Sequence, residues 1–378
     1  MSLVYIIIFI IGCFLFTFFE RNYKIPFVKW IFIIPFCLII ANRSLDVPDT
    51  GSYINYLLSE DASLSNYDDF GFEVGFQTFT KIAKSIVDEN YYLYFTLITL
   101  TNLLIIDLSL TRIFNIFCQE DDDSFKALNS LESVELLNKY SILPLTLYVA
   151  YFGIYFNAIV LRVGISLSLL VLSASFAIKP QKNILDYLII VALLFVGYLF
   201  HATAVLGIII ILILLYSKQQ SLKKYVWICT LIGIIYFSNL TSRLGDTVFG
   251  FISSLNTLSM LSGKLNNYGG DSAMFDVSKI STKFVFFWLM SFALIFNQTE
   301  SKVYFKFLNV FIAGLGLYAL FRSVLLVDRV TDFFLLFSFI VFYLFLIKQS
   351  AVKFWFYYIF IVLLQLTFIL RVTNQELV

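Results

Sequence analysis

Long apolar runs, separated by short polar or charged links, recur from one end of this chain to the other. Read with the roughly 17–25-residue window of a bilayer-crossing helix, and tolerating shorter runs, the pattern predicts about twelve spans. They fall near 3–19, 26–41, 91–114, 142–157, 161–178, 184–199, 201–216, 224–238, 284–297, 303–321, 331–347 and 354–371. Several are shorter than a crossing needs. Such spans either extend into flanking polar residues or are broken, and broken backbone is tolerated at membrane depth only where protein or water covers it. Short links make consecutive spans antiparallel neighbours. No internal repeat is visible.

Composition agrees with the pattern. Of 378 residues, 60% are hydrophobic and 13% charged, with a mean hydropathy of +0.89. A soluble domain is usually nearer a quarter charged. The expected class is therefore all-α: a polytopic integral membrane protein, with residues 1–378 forming a single transmembrane domain. A net charge of +1 argues against a nucleic-acid partner. Cys13, Cys37, Cys118 and Cys229 form no C-x-x-C pair and read as small buried hydrophobes. The opening run lacks a positive n-region and a small-residue cleavage site, so it reads as a retained first span.

Charge sets the expected orientation. If the links alternate sides, the short basic links "KPQK", "SKQQSLKK" and "KQSAVK" share one side, which is then cytoplasmic. That side carries 13 lysines and two arginines. The other carries five lysines and six arginines: Arg43, Arg162, Arg243, Arg322, Arg329 and Arg371. A positive-inside bias does not place most arginines outside. Snorkelling or interfacial ion pairing accounts for any single one. The group points to an external site for a phosphate or carboxylate, which the planar guanidinium suits. Two long external loops are expected, about 42–90 and 239–283, the second Gly/Ser/Asn-rich and lid-like. A cytoplasmic loop, about 115–140, carries "QEDDDSF", an acidic run that reads as a solvated turn.

No P-loop G-x-x-x-x-G-K-[ST] and no G-x-S-x-G elbow occur, which excludes an ATP-driven pump in this chain. A lone histidine without a Cys/His cluster argues against zinc or haem, and no cofactor is expected. "YDDF" at 67–70 reads as an exposed loop pair rather than a metal site. Arg43, Asp46, Asp49 and Tyr53 follow the second run. Pro48 and Gly51 mark a turn there, and Asp49 or Thr50 is placed to cap a helix "TGSYINYLL" with Tyr53 and Tyr56 on one face. Glu73 sits between Phe72 and Val74, a setting that can tune a carboxylate for general acid or base work, although a helix cap or ion pair serves as well. "VGFQTFTKIAKSIV" reads as a helix along the membrane surface. Arg162 lies at the external start of the fifth span, with Asn157 on the preceding linker. An arginine at a membrane edge needs a partner, and marks function by default. Arg322 and Arg329 frame "FRSVLLVDRV", with Asp328 able to pair with either. His201, the only histidine, falls at the external end of the sixth span. Its bland reading is an interfacial side chain bonded to a backbone carbonyl.

An ordered series of motifs runs through these residues: "RSLDVPDTGSYINYL", "FGFEVGF", "FNAIVLRVGISLSLLVLSASFAI", "FVGYLFHATAV" and "FRSVLLVDRVTDFF". In this order the chain resembles the EpsG-like and Wzy-type bacterial polysaccharide polymerases, with Asp49–Tyr53 as the D-x-x-x-Y segment and Val74 where proline is common. The resemblance implies a GT-C-like glycosyltransferase of O-antigen or exopolysaccharide synthesis. It would sit in the bacterial inner membrane with its site facing the periplasm, and join oligosaccharide repeat units carried on undecaprenyl pyrophosphate, as donor and as acceptor. Membrane lipid and a chain-length regulator protein are the further partners implied. Arg162, Arg322, Arg329 and Arg43 are then the pyrophosphate ligands, Tyr53 and Asn157 the sugar contacts, and His201, Glu73 and Asp49 the candidates for acid–base chemistry. An O-antigen ligase is the nearest rival. A flippase or other transporter is the rival of another class, but should carry repeat symmetry and midplane charges in both halves. An acyltransferase is a weaker option.

Overall fold

The computed structural model describes residues 3–22, 28–45, 47, 49–59, 72–120, 142–238, 280–297, 301–322 and 327–376. The side chains at 327–329 and at a few helix ends lie outside that description, as do Asp46, Pro48, the "YDDF" stretch, most of "QEDDDSF" and residues 239–279. Among the described residues all regular structure is helical. Every one of the expected apolar runs forms helix. Among the described residues, three helices are long and apolar enough to cross a membrane by length and composition: Tyr91–Glu120, Lys302–Leu320 and Ala351–Leu370. The others are shorter apolar helices.

Helices α1 (Leu3–Asn22), α2 (Val28–Ala41), α3 (Thr50–Leu58), α4 (Val74–Val87) and α5 (Tyr91–Glu120) come first. They are followed by α6 (143–159), α7 (Leu161–Ala177), α8 (Ile184–Phe200), a 3₁₀ turn (Ala202–Val205) and α9 (Leu206–Tyr216). Then come α10 (Leu222–Phe237), α11 (Thr282–Ile295), α12 (Lys302–Leu320), α13 (Val327–Leu335), α14 (Ser338–Leu346) and α15 (Ala351–Glu376). The sequence boundaries need two corrections. Helix α5 continues through Glu120, so the loop expected from 115 starts later. Asn157 is not on a linker but inside α6. Within the segment 42–90, the two helices expected at "TGSYINYLL" and "VGFQTFTKIAKSIV" form as α3 and α4.

The chain divides into two compact units, residues 1–216 with 342–378, and residues 217–341. In the first, side-chain carboxylates tie together helices that are apart in sequence. Lys29 donates to Asp107 at 2.6 Å, and Glu20 accepts the Ile142 N–H at 2.9 Å, satisfying an amide at the start of α6. The whole stretch Val149–Ile159 of α6 is π-helical apart from Ile154, and all of it is buried. Asn157 holds it: its amide donates to Gly153 O at 2.7 Å and accepts from Asn102 at 2.9 Å, and Ser168 adds a bond to Asn102. Gly164 lets α7 approach this stretch, since a Cβ there would lie 2.4 Å from Phe156 O. Irregular backbone is thus enclosed by protein, as a low-dielectric surround requires.

In the second unit the expected eleventh run breaks into α13 and α14 at Leu336 and Phe337, both fully buried. Lys283, in the first turn of α11, pairs with Asp332 of α13 inside it. Tyr236 stacks on Phe284 at 3.7 Å, and Trp288 donates to Cys229 O at 2.8 Å. Cys13, Cys37 and Cys229 are buried and all four cysteines are free, as small hydrophobes should be.

Candidate functional site

The site forms in the first unit where α3, α4, α7 and the turn after α8 converge. Helix α4 carries a buried stripe at Phe76, Thr80, Ala83 and Val87, spaced at helical period, while Ile82 and Ile86 on the other face are exposed. Its first turn reaches the end of α8 because residue 75 is glycine. A Cβ there would stand 2.7 Å from both the carbonyl carbon and oxygen of Leu199. That backbone-to-backbone approach sets Glu73, two residues earlier, beside His201, two residues later.

Glu73 occupies the cap position of α4 without a side-chain capping bond. Its carboxylate faces the site instead. Arg162 Nη1 donates to Glu73 Oε2 at 2.6 Å, and His201 Nε2 lies 4.0 Å from Glu73 Oε1. All three side chains are about a fifth to a quarter exposed, which leaves them reachable by a substrate. Arg162 stands in the first turn of α7, where a cation opposes the helix dipole. Glu73 offsets that cost, and Arg162 also bonds the Tyr53 hydroxyl and lies over the Phe72 ring at 4.9 Å.

Tyr53 is the hub of the aromatic cluster beside Arg162. It is buried, stacked on Phe72 at 5.4 Å and against Phe76 at 5.3 Å, with Tyr56 on the same helix face edge-on to Phe72. Burial pushes its phenol up, against the pull of the Arg162 charge, so it stays a neutral hydroxyl. Arg43 and Asp49 lie within electrostatic reach of it as well. Asp49 is exposed, at the start of α3 with φ 63°, and makes no side-chain cap; the expected capping bond is not formed.

Arg43 is 7% exposed. Nη1 donates to Ala158 O at 2.8 Å, using a carbonyl at the end of α6, and the guanidinium lies 3.4 Å from the Phe95 centroid. Its Nε and Nη2 have no hydrogen-bond partner among the described residues. Burial pushes it down to about 9, which still leaves it cationic at neutral pH. A buried cation with two donors unsatisfied among the described residues is costly unless an anion joins it.

His201 follows α8 and begins the 3₁₀ turn. Its Nδ1 accepts the Thr203 N–H at 3.3 Å and lies 2.6 Å from the Thr203 hydroxyl. The backbone-carbonyl partner of the bland reading is not what this ring nitrogen uses.

The structure therefore brings Arg43, Asp49, Tyr53, Glu73, Arg162 and His201 together. Asn157 stands apart from them, its amide engaged in the buried network that supports α6. Arg322 belongs to the second unit, where Nη1 donates to Tyr236 O at 2.8 Å and the guanidinium lies over the Tyr236 ring at 4.4 Å. It closes the C-terminal end of α10, whose last carbonyls lack helical partners. Arg329 falls in α13, but its side chain, like that of Asp328, lies outside the described residues. Sequence reasoning missed Phe72, Gly75 and Thr203 as parts of the site. Only the tight spacing of "FEVG" and "HAT" signals them. No group of three or more metal-ligating side chains occurs among the described residues.

No curated protein and no solved structure matches this chain. A family model does, that of the EpsG family, over residues 24–377. That match spans nearly the whole sequence and takes in every residue of the site, and the chain belongs to the EpsG family.

Proposed function

We propose that this protein is a glycosyltransferase that polymerises oligosaccharide repeat units carried on undecaprenyl pyrophosphate, in the bacterial inner membrane, at the periplasmic face. About twelve spans in a GT-C-like arrangement would hold the site at that face. Family membership supports a polysaccharide-polymerase-type membrane protein. The observation that carries the finer reading is the Glu73–Arg162–His201 constellation beside buried Arg43, whose Nε and Nη2 lack partners.

The chemistry fits these groups. The acceptor hydroxyl oxygen bonds to the anomeric carbon of the donor chain as the bond from that carbon to the lipid pyrophosphate breaks. The leaving pyrophosphate takes the electron pair, and Arg162 and Arg43 stabilise its developing charge with fixed guanidinium groups. The acceptor proton passes to Glu73, Asp49 or His201. Tyr53, buried against Phe72 and Phe76, holds Arg162 in place, and Arg322 and Arg329 are the further pyrophosphate ligands proposed from the sequence.

A strain lacking the gene should make products limited to a single repeat unit, and long chains should return when the gene is restored. Accumulation of lipid-linked units in the cytoplasmic leaflet would overturn the reading in favour of a flippase.

A further inference from the structure

We propose that Thr203 is a positioning residue that holds His201 as the Nε2–H tautomer, making it a hydrogen-bond donor at this site and excluding it as the acceptor base. A neutral imidazole has one N–H donor and one lone-pair acceptor. A backbone N–H can only donate, so the Thr203 amide aimed at Nδ1 at 3.3 Å requires the lone pair there. The Thr203 hydroxyl, 2.6 Å from the same nitrogen, can donate to a lone pair there or accept from an N–H, so it follows the tautomer that the amide selects. The proton of the neutral ring then sits on Nε2, the nitrogen that faces Glu73. An imidazolium would turn an N–H against the Thr203 amide and lose that bond.

The arrangement is fixed locally. His201 and Thr203 cap and open the 3₁₀ turn that carries the chain from α8 into α9, so ring and amide are held by the same short piece of backbone. Ring orientation thus follows from the turn. If the site transfers glycosyl groups as proposed above, on which this consequence rests, His201 donates through Nε2 to a phosphate or sugar oxygen. The acceptor proton is left to a carboxylate, Glu73 or Asp49.

The protein has one histidine, so its imidazole can be read without overlap. The full-length protein is labelled with ¹⁵N-histidine in detergent or nanodiscs, without substrate. Its nitrogen shifts are recorded at a pH well above the ordinary imidazole pKa of about 6.5. The expected spectrum shows a protonated Nε2 and an unprotonated Nδ1. A major Nδ1–H form, or an imidazolium at that pH, overturns the proposal. Thr203→Val removes the hydroxyl and keeps the amide, so the Nε2–H form should stay the major one, and a folded Thr203→Val protein that is mainly Nδ1–H overturns the assignment to the amide. The wild-type spectrum decides the tautomer even if a variant fails to fold. Because it needs no turnover, a failure of the polymerase reading leaves the tautomer result standing.

Discussion

At the scale of single residues, the site is built from charges that the fold alone does not justify. Arg43 is the clearest case. A buried guanidinium with two unpaired donors costs stability, so Arg43→Met should leave the protein as stable or raise stability by about 1 kcal/mol. Polymer formation should fall at the same time. Thermal unfolding in detergent beside a chain-length assay on the same variant reads both, and a large loss of stability would make Arg43 structural. Arg162 and Glu73 couple differently. Their 2.6 Å pair is about a fifth exposed, between the exposed case, worth under about 1 kcal/mol, and the fully buried one. A double-mutant cycle with Arg162→Met and Glu73→Gln should give a coupling of about 1 kcal/mol. Arg162→Lys keeps the charge but loses the planar fork that reaches Glu73, Tyr53 and the Phe72 face. It should lower polymer formation about tenfold or more at unchanged protein level. Normal chain length would remove Arg162 from the site.

At the scale of elements, α4 is the piece that assembles the site. Its apolar stripe seats it, and Gly75 decides how closely it sits on the end of α8. In an open helix, Gly→Ala gains about 0.5–1 kcal/mol. Here the added methyl meets the Leu199 backbone at 2.7 Å, which cannot rotate away. Gly75→Ala should therefore destabilise by about 1–3 kcal/mol and move Glu73 away from His201. Unfolding temperature gives the sign directly, and a stabilised variant would refute the close approach. The amphipathic pattern of α4 was legible in the sequence. Its partner was not, because a glycine flanked by valine and phenylalanine looks the same whether it faces solvent or another backbone.

At the scale of the whole molecule, the alternation of sides makes a prediction that spans the bilayer. In a variant whose native cysteines are replaced, a cysteine introduced at 201 should react with a membrane-impermeant thiol reagent from the periplasm. One introduced at 182, in the basic "KPQK" link, should not. The reverse pattern would invert the orientation on which the periplasmic reading rests. Charge in short links carries this signal because lysine and arginine are retained on the cytoplasmic side during insertion, whatever the fold later does.

Sequence by itself determined the helical class and the approximate helix positions, and it singled out Arg43, Arg162, Glu73 and His201 as candidates. Hydrophobic length, and the cost of isolated charge near a membrane, are one-dimensional signals that survive without coordinates. Tertiary structure alone decided which of those charges meet. Glu73 and His201 are 128 positions apart in the chain and come together only through a glycine contact. Asn157 was indistinguishable in sequence from a surface amide, yet the fold commits it to a buried network, because a π-helical stretch exposes backbone groups that some interior amide must satisfy. Arg322 likewise needed the structure to show that its guanidinium closes the end of α10, since a helix's unpaired carbonyls have no signature in the residues that come to satisfy them.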